Sequence, residues 1–348
     1  MNNTFMKVTR TLDEREWRRF VDEHPDGRIF HTPQMFEVWE RTRGHRPELW
    51  ATVDGEGRTL ALLLPVQHTV LDSTWLNGLL RPLTTRSVVY GSVLCAPGAE
   101  GREALALLLQ SYTQEVDSAI LFTELRNLVD LADLQPVLGE FGFEYQDHLN
   151  FLIDLDRPTD EIMADVSNRT RKRIRSGMRK GDVEIEELHD EAGVRECYGL
   201  LEKTYGLAQV PLSDYSLFKA AFDVLHPKGM ARFFLARVEG QPAATSIDLM
   251  YKDVAFGWYG GTDREYSSYV PNELLSWHVI NWSAEHGYKV YDWGGAGKPD
   301  EEYGPRDFKA KFGGQLVSFG RNVCVHAPMR LRASEIGYNT LRQLGVLT

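Results

Sequence analysis

Cysteine is scarce in this chain of 348 residues, which holds only Cys95, Cys197 and Cys324. Odd in number and far apart, they argue against a disulfide framework and against a clustered zinc site, and read as buried thiols. The ten histidines are just as scattered. None forms the close pair that a helical metal site requires, so no metal is expected. Long hydrophobic runs are missing as well. No stretch approaches the roughly 20 apolar residues of a transmembrane segment, and the start, MNNTFMKVTRTLDEREW, lacks the apolar core of a secretory signal. A cytoplasmic location is the expectation. Positive charge is in deficit, with a net charge of -11, so the average surface repels nucleic acid and anionic lipid. DNA is not an expected partner, and any polyanion must find a local basic site. One exists between Asp165 and Asp182, where Arg169, Arg171, Lys172, Arg173, Arg175, Arg179 and Lys180 occur without an acid among them.

What is present is an ordinary globular composition, 43% hydrophobic, over a length that suits two domains. Residues 12–44 read as two amphipathic helices, with Trp17, Phe20 and Val21 on the first and Met35, Phe36 and Trp39 on the second. Residues 49–53 and 59–68 flank the turn Asp54-Gly55-Glu56-Gly57, a hairpin signal. After a longer excursion come a strand over 87–90 stopping at Gly91, a helix over 102–114, a strand over 119–125 and a helix over 128–140 ending at Phe141-Gly142. The second half repeats this order. Helices over 194–205 and 215–225 precede a hairpin of 233–238 and 243–250 about Glu239-Gly240-Gln241-Pro242. A strand over 254–259 stops at Gly260-Gly261, and a helix over 272–286 and a strand over 289–293 follow. A short helix over 305–312 then ends at Gly313.

Three pairs of landmarks test this duplication: Gly55 with Gly240, Gly91 with Gly260, and Phe141-Gly142 with Phe312-Gly313. Their offsets are 185, 169 and 171, so the last two agree while the first absorbs the excursion after His68. Two similar domains in tandem are expected, residues 1–150 and residues 151–321. The second opens on a strand over 151–157, and the tail from Arg321 has no counterpart within it. Helices, an antiparallel hairpin, a strand, a helix, a strand and a helix match the α/β (α+β) class. The pattern is that of an N-acetyltransferase (GNAT) mixed, largely antiparallel sheet flanked by helices. A generic mixed α/β domain gives similar signals.

The stretch VYDWGGAGKPDEEYGPRDFKAKFGGQLVSF, residues 290–319, concentrates the chemistry. Phe308 and Phe312 fall on one helix face and Lys309 turns away from them. Lys309 is the cation to ask about, although Lys309 and Lys311 also read as the solvated face of a surface helix. Asp292, Gly294, Gly295 and Gly297 end a strand where backbone amides can approach a substrate, or form a plain turn. Tyr259 and Tyr269 flank the same stretch, with Tyr215 and Lys311 as further substrate contacts. Asp248 and Asp263 are either general bases for an amine or exposed acids. The basic run at Arg169, Arg171, Lys172, Arg173 and Arg175 reads either as a phosphate or tRNA contact or as a solvated helix face.

These residues also carry a resemblance. YVPNELLSWHVINWSAEHGYKVYDWGG followed by FKAKFGG resembles the FemAB (FemX-like) family, as do IFHTPQMFEVWE near the start and LIDLDRPTDEIMADVSNRTRKRIRSGMRKG in the middle. The resemblance implies tandem GNAT-like domains with a C-terminal tail, about 322–348, that returns to join the first. It also implies transfer of an amino acid from aminoacyl-tRNA to an amine of a peptide or cell-envelope precursor. Phe308 and Lys309 match the family's Phe-Lys pair, which places the lysine at the aminoacyl end as oxyanion stabiliser. The first copy carries Val137 and Leu138 at the matching positions, so only the second is expected to act.

Four departures bear on the substrates. Enzymes of this fold that use acetyl-CoA cradle its pyrophosphate on a turn of the form [RQ]-x-x-G-x-[GA], whereas here the junction REYSSYVPN has no glycine. CoA is therefore the less expected donor, and no cofactor is expected. Glu40 and Arg41 follow the Trp of the first-domain helix where a lysine is usual, and Pro211 stands four residues before Tyr215 where an arginine is usual. The long helical arm that some members use for tRNA is lacking too. An N-acyltransferase using an acyl-CoA or acyl carrier protein, and a non-catalytic tandem binding module, remain the alternatives.

Overall fold

The structure is a computed structural model that describes residues 5–69 and 82–343. Most of the excursion after His68 lies outside the described residues. The chain divides into two compact units, Met1–Asp147 with Phe319–Thr348, and His148–Ser318.

The first unit runs β1 (Lys7–Thr9), α1 (Glu14–Glu23), α2 (Pro33–Glu40), β2 (His45–Pro47), β3 (Trp50–Val53), β4 (Thr59–Leu63) and β5 (Val66–Thr69). It continues with β6 (Thr85–Tyr90), β7 (Leu94–Cys95), α3 (Gly98–Glu115), β8 (Phe122–Arg126), α4 (Gln135–Glu140) and β9 (Glu144–Gln146). The second unit holds β10 (Leu149–Asp154), α5 (Thr159–Asp165), α6 (Asn168–Lys180), β11 (Val183–Glu187), α7 (Glu191–Ala208) and α8 (Tyr215–Val224). Then come β12 (Ala231–Val238), β13 (Gln241–Tyr251), β14 (Val254–Thr262), α9 (Pro271–Glu285), β15 (Val290–Gly295), α10 (Gly304–Ala310) and β16 (Gln315–Ser318). The chain finally returns to the first unit with β17 (Arg321–Val325) and α11 (Pro328–Gln343).

Local chemistry explains most boundaries. Asp13 caps α1 by accepting from the amides of Arg15 and Glu16, and Thr32 caps α2 through Met35 N with Pro33 in its first turn. The apolar run over 59–68 is not one strand. Pro65 interrupts it, so β4 and β5 enter different sheets. The helix expected over 128–140 is reduced to Gln135–Glu140, because Pro136 is accommodated only in a first turn. The second-unit hairpin turns tightly on Glu239 and Gly240, both left-handed with φ of 51° and 76°.

The strand expected to stop at Gly260-Gly261 instead continues to Thr262, paired with β13 throughout. A Cβ on Gly261 would lie 3.0 Å from the carbonyl oxygen of Leu200, so glycine there lets α7 approach the sheet rather than ending it.

The second unit is a seven-stranded sheet, β11-β12-β13-β14-β15-β10-β16, antiparallel except where β14 and β15 run parallel over Val254–Phe256 and Val290–Asp292. The first unit has two sheets, β1-β3-β4-β7 and β2-β5-β6-β8-β17-β9, with β6 and β8 parallel. The comparison corrects the reading of the tail. In the second unit β10 sits between β15 and β16, and in the first β17 sits in the corresponding place between β8 and β9. Each sheet thus takes its penultimate strand from the segment that follows the other copy.

Each unit has its own apolar core, with Trp50, Leu108, Tyr112, Leu125, Phe143 and Cys324 in the first and Ile153, Phe234, Ile280, Tyr291 and Phe312 in the second. Burying each large side chain contributes about 1.5–3 kcal/mol. All three cysteines are free and buried.

Candidate active site

The site is built where β15 delivers the chain into α10. Pro305 lies in the first turn of this helix, which ends at Ala310, before Phe312. Phe308 and Phe312 pack with ring centroids 5.4 Å apart, and Trp293 of β15 lies 5.3 Å from Phe312 and 6.2 Å from Phe308. Phe312 is buried and anchors the segment, while Gly313, at φ +79°, passes so close to Asp165 that a Cβ would lie 2.8 Å from the aspartate Cβ.

This packing aims Lys309 at the strand. Its Nζ donates to the carbonyl oxygens of Trp293 and Gly295, each at 2.7 Å, rather than standing in solvent. Burial desolvates the ammonium and pushes its pKa down to about 8, with the carboxylate of Asp292 acting in the opposite direction. Three N–H bonds and two bound carbonyls leave one donor for a ligand. Asp292 is buried, accepting from Gly294 N at 2.7 Å and from Asn150 Nδ2 at 3.5 Å.

The glycine pair forms the end of the strand, for β15 stops at Gly295, which still pairs with Asn150 of β10. Gly294, at φ +68°, turns its amide to Asp292, and a Cβ on Gly295 would meet the ring of His148 at 2.8 Å. Arg306 closes the loop above α10, donating from Nε to Ala296 O at 2.7 Å and from its other nitrogens to Pro299 O and Lys298 O.

Lys309, Phe308, Asp292, Gly294 and Gly295 therefore meet. Lys311 lies beside them with its Nζ 5.4 Å from the Phe308 ring centroid. Tyr215 and Tyr259 belong to an aromatic cluster with Tyr198 and Phe218, in which Tyr259 also bonds Ser213 Oγ at 3.1 Å. Tyr205 links that cluster to the loop before α10. Burial pushes its phenol up to about 12, with a smaller contribution from Tyr303. Tyr269 ends the 3-10 turn Arg264–Tyr269 that leads into α9.

The two acids considered as bases are both committed. Asp248 is not exposed but fully buried, accepting from Tyr291 at 2.8 Å and Ser246 at 2.6 Å, and burial pushes its pKa up to about 7. Asp263 is buried beneath the ammonium of Lys203 at 2.8 Å. His148 and Arg306 had no local signal in the sequence, since neither belongs to a motif and each gains its place only through the fold.

The basic run forms α6, anchored by buried Thr170 and Ile174. Arg171 is spent on the carbonyls of Met163 and Ala164, and Arg173 pairs with the buried carboxylate of Glu273 at 2.7 Å. Arg169, Lys172 and Arg175 are exposed and have no ion pair among the described residues. The start of α6 abuts the lysine helix, because Ser167 N donates to Lys311 O at 2.8 Å. Thirteen residues then carry the basic face about 20 Å away from that point.

Comparison with known proteins agrees with this architecture. The acetyltransferase (GNAT) domain family matches residues 164–309. A lipid II:glycine glycyltransferase of Staphylococcus haemolyticus is 21% identical, covering 88% of this chain and 89% of the relative, and one of Staphylococcus aureus is 20% identical over 88% and 89%. Among solved structures, FemX superposes with a TM-score of 0.69 at 16% identity, covering 92% of this chain and 97% of FemX. A tandem GNAT protein from the clavulanic acid biosynthesis pathway gives 0.58 at 12%, covering 93% and 99%. The chain is an enzyme of acyltransferase type, built as two GNAT-like units, and it resembles the FemAB/FemX-like family over most of its length.

Proposed function

We propose that the protein transfers an aminoacyl group, from aminoacyl-tRNA, to an amine of a peptide or cell-envelope precursor. The observation that carries this reading is the half-buried ammonium of Lys309, fixed by two carbonyls with one N–H uncommitted. The amine nitrogen bonds to the ester carbonyl carbon, and the oxyanion that develops accepts from that N–H. Collapse then breaks the bond to the ribose oxygen, which takes up the proton the amine releases. One preorganised donor of this kind contributes about 3–4 kcal/mol of transition-state stabilisation. Asp248 is sealed and Asp263 is held by Lys203, so neither is free to accept this proton. The names of the glycyltransferase relatives support the transfer of an aminoacyl group and an envelope-precursor acceptor.

Two further features favour a tRNA ester over a CoA thioester. At the junction where a CoA pyrophosphate would sit, Pro271 removes an amide from the first turn of α9. There too, the amides of Glu265, Tyr266 and Val270 already bond Asp263 and Ser267. Conversely, α6 leads from Lys311 with Arg169, Lys172 and Arg175 exposed, a track for the phosphates behind a 3′ ester.

The test is incubation with a mixture of charged tRNAs and a cell extract, following radiolabelled amino acid. Label is expected in a non-tRNA product and is expected to vanish when the tRNA is digested beforehand. Incorporation that survives ribonuclease, together with thermal stabilisation by CoA, would overturn the tRNA assignment in favour of a thioester donor.

A further inference from the structure

We propose that Glu187, His189 and His226 form a site for one divalent ion of the zinc class. One ligand atom from each residue lies within 4.8 Å of the others. Two imidazoles and a carboxylate are a donor set suited to zinc, completed by water in an open fourth position.

The fold creates the cluster from distant sequence. Leu188 is buried, so Glu187 and His189 on either side of it project together from the end of β11. His226 comes from the 3-10 turn His226–Lys228 between α8 and β12. The histidine pair that sequence spacing does not show is thereby formed in space, with ring centroids 5.6 Å apart.

The surroundings orient these ligands. The ring of His226 is stacked on Phe222 at 4.8 Å and 12°, and its Nδ1 lies 3.2 Å from the carbonyl oxygen of Ala231. Nδ1 can bond a carbonyl only as an N–H donor, which leaves the lone pair on Nε2 for a metal. Glu187 Oε1 accepts from Arg232 Nη1 at 2.6 Å, which fixes the carboxylate and leaves Oε2 available. Arg232 is itself held over the Trp282 ring at 5.0 Å. A guanidinium, a backbone carbonyl and a packed ring thus supply the outer contacts that hold these side chains in place.

The site is separate from the lysine site. In the sheet, β12, β13 and β14 lie between β11 and β15, a separation on the order of 20 Å at the usual strand spacing. An ion here clamps the end of β11 to the turn that precedes β12, rather than taking part in acyl transfer.

The experiment uses the full-length, untagged protein stripped of metal, titrated with zinc chloride by calorimetry and with cobalt(II) by visible absorption. One equivalent should bind, the cobalt form should show the intense bands of a tetrahedral site, and zinc should displace it and raise the melting temperature. His189→Ala removes an exposed ligand, and Glu187→Gln changes no volume, so both should fold. Each should weaken binding by more than about tenfold, the lower range of what outer contacts alone contribute. The proposal is overturned if no saturable one-equivalent binding occurs, or if both variants bind as the wild type does.

Discussion

At the residue scale the proposed transfer depends on the charge of Lys309. Its pKa, pushed down to about 8 by burial, sets an alkaline limit on activity, since only the ammonium can donate to the oxyanion. The profile of kcat/KM should therefore fall as pH rises through about 8 in the wild type. Lys309→Arg keeps a cation at all these pH values, so the fraction of activity it retains should show no such fall. A fall in both proteins at the same pH would assign the limb to another group. The helix that carries this lysine was legible in the sequence, from Pro305, Gly313 and the Phe308 and Phe312 spacing. The acceptors of its N–H bonds were not, because backbone carbonyls carry no sequence signal. Likewise the basic run was legible as charge, but the neutralisation of Arg173 by Glu273 joins residues 100 positions apart.

At the scale of elements, the strand beneath the site is tied to its neighbours by a buried polar contact. Tyr291 of β15 donates to Asp248 of β13, across β14, and a Cβ on the intervening Gly257 would meet the phenol oxygen at 2.9 Å. Because burial raises the pKa of Asp248 from 3.8 to about 7, the folded protein holds a proton there that the unfolded chain has already lost above about 4. The stabilising contribution is thus greatest at low pH and is lost as pH rises through about 7. Asp248→Asn keeps a carbonyl for Tyr291 and cannot ionise. Melting curves at pH 5 and pH 8 should show the wild type losing ground to this variant at the higher pH, whereas a constant difference would contradict the assignment. The alternation around Asp248 marked a strand, but an acid in that run gave no means of telling an exposed face from a sealed one.

At the scale of the whole molecule, duplication was legible in the spacing of the two Phe-Gly pairs, each of which follows a helix end. Gly260, by contrast, lies within β14 rather than at its end as Gly91 does after β6. The exchange of strands was not legible, since a five-residue run such as Arg321–Val325 does not name the strands it will pair with. Asn322 at the centre of β17 makes this exchange specific. Fully buried, it donates to Gln135 Oε1 at 2.7 Å and Phe143 O at 3.3 Å, and accepts from Asn127 Nδ2 at 3.0 Å. Asn322→Leu strands these partners and should cost about 3 kcal/mol. Urea unfolding should show it as an earlier transition of the first unit, and an unshifted midpoint would contradict this role. Only the second copy has a lysine where the first has Leu138, so the proposed lysine site belongs to one copy alone.

That asymmetry is tested most directly by single-turnover transfer from aminoacyl-tRNA to an amine acceptor, measured side by side for the wild type and Lys309→Ala. The rate of the variant should fall about 100-fold or more, with a melting temperature close to that of the wild type. An unchanged rate in a folded variant would contradict the assignment of Lys309 as the group that stabilises the oxyanion.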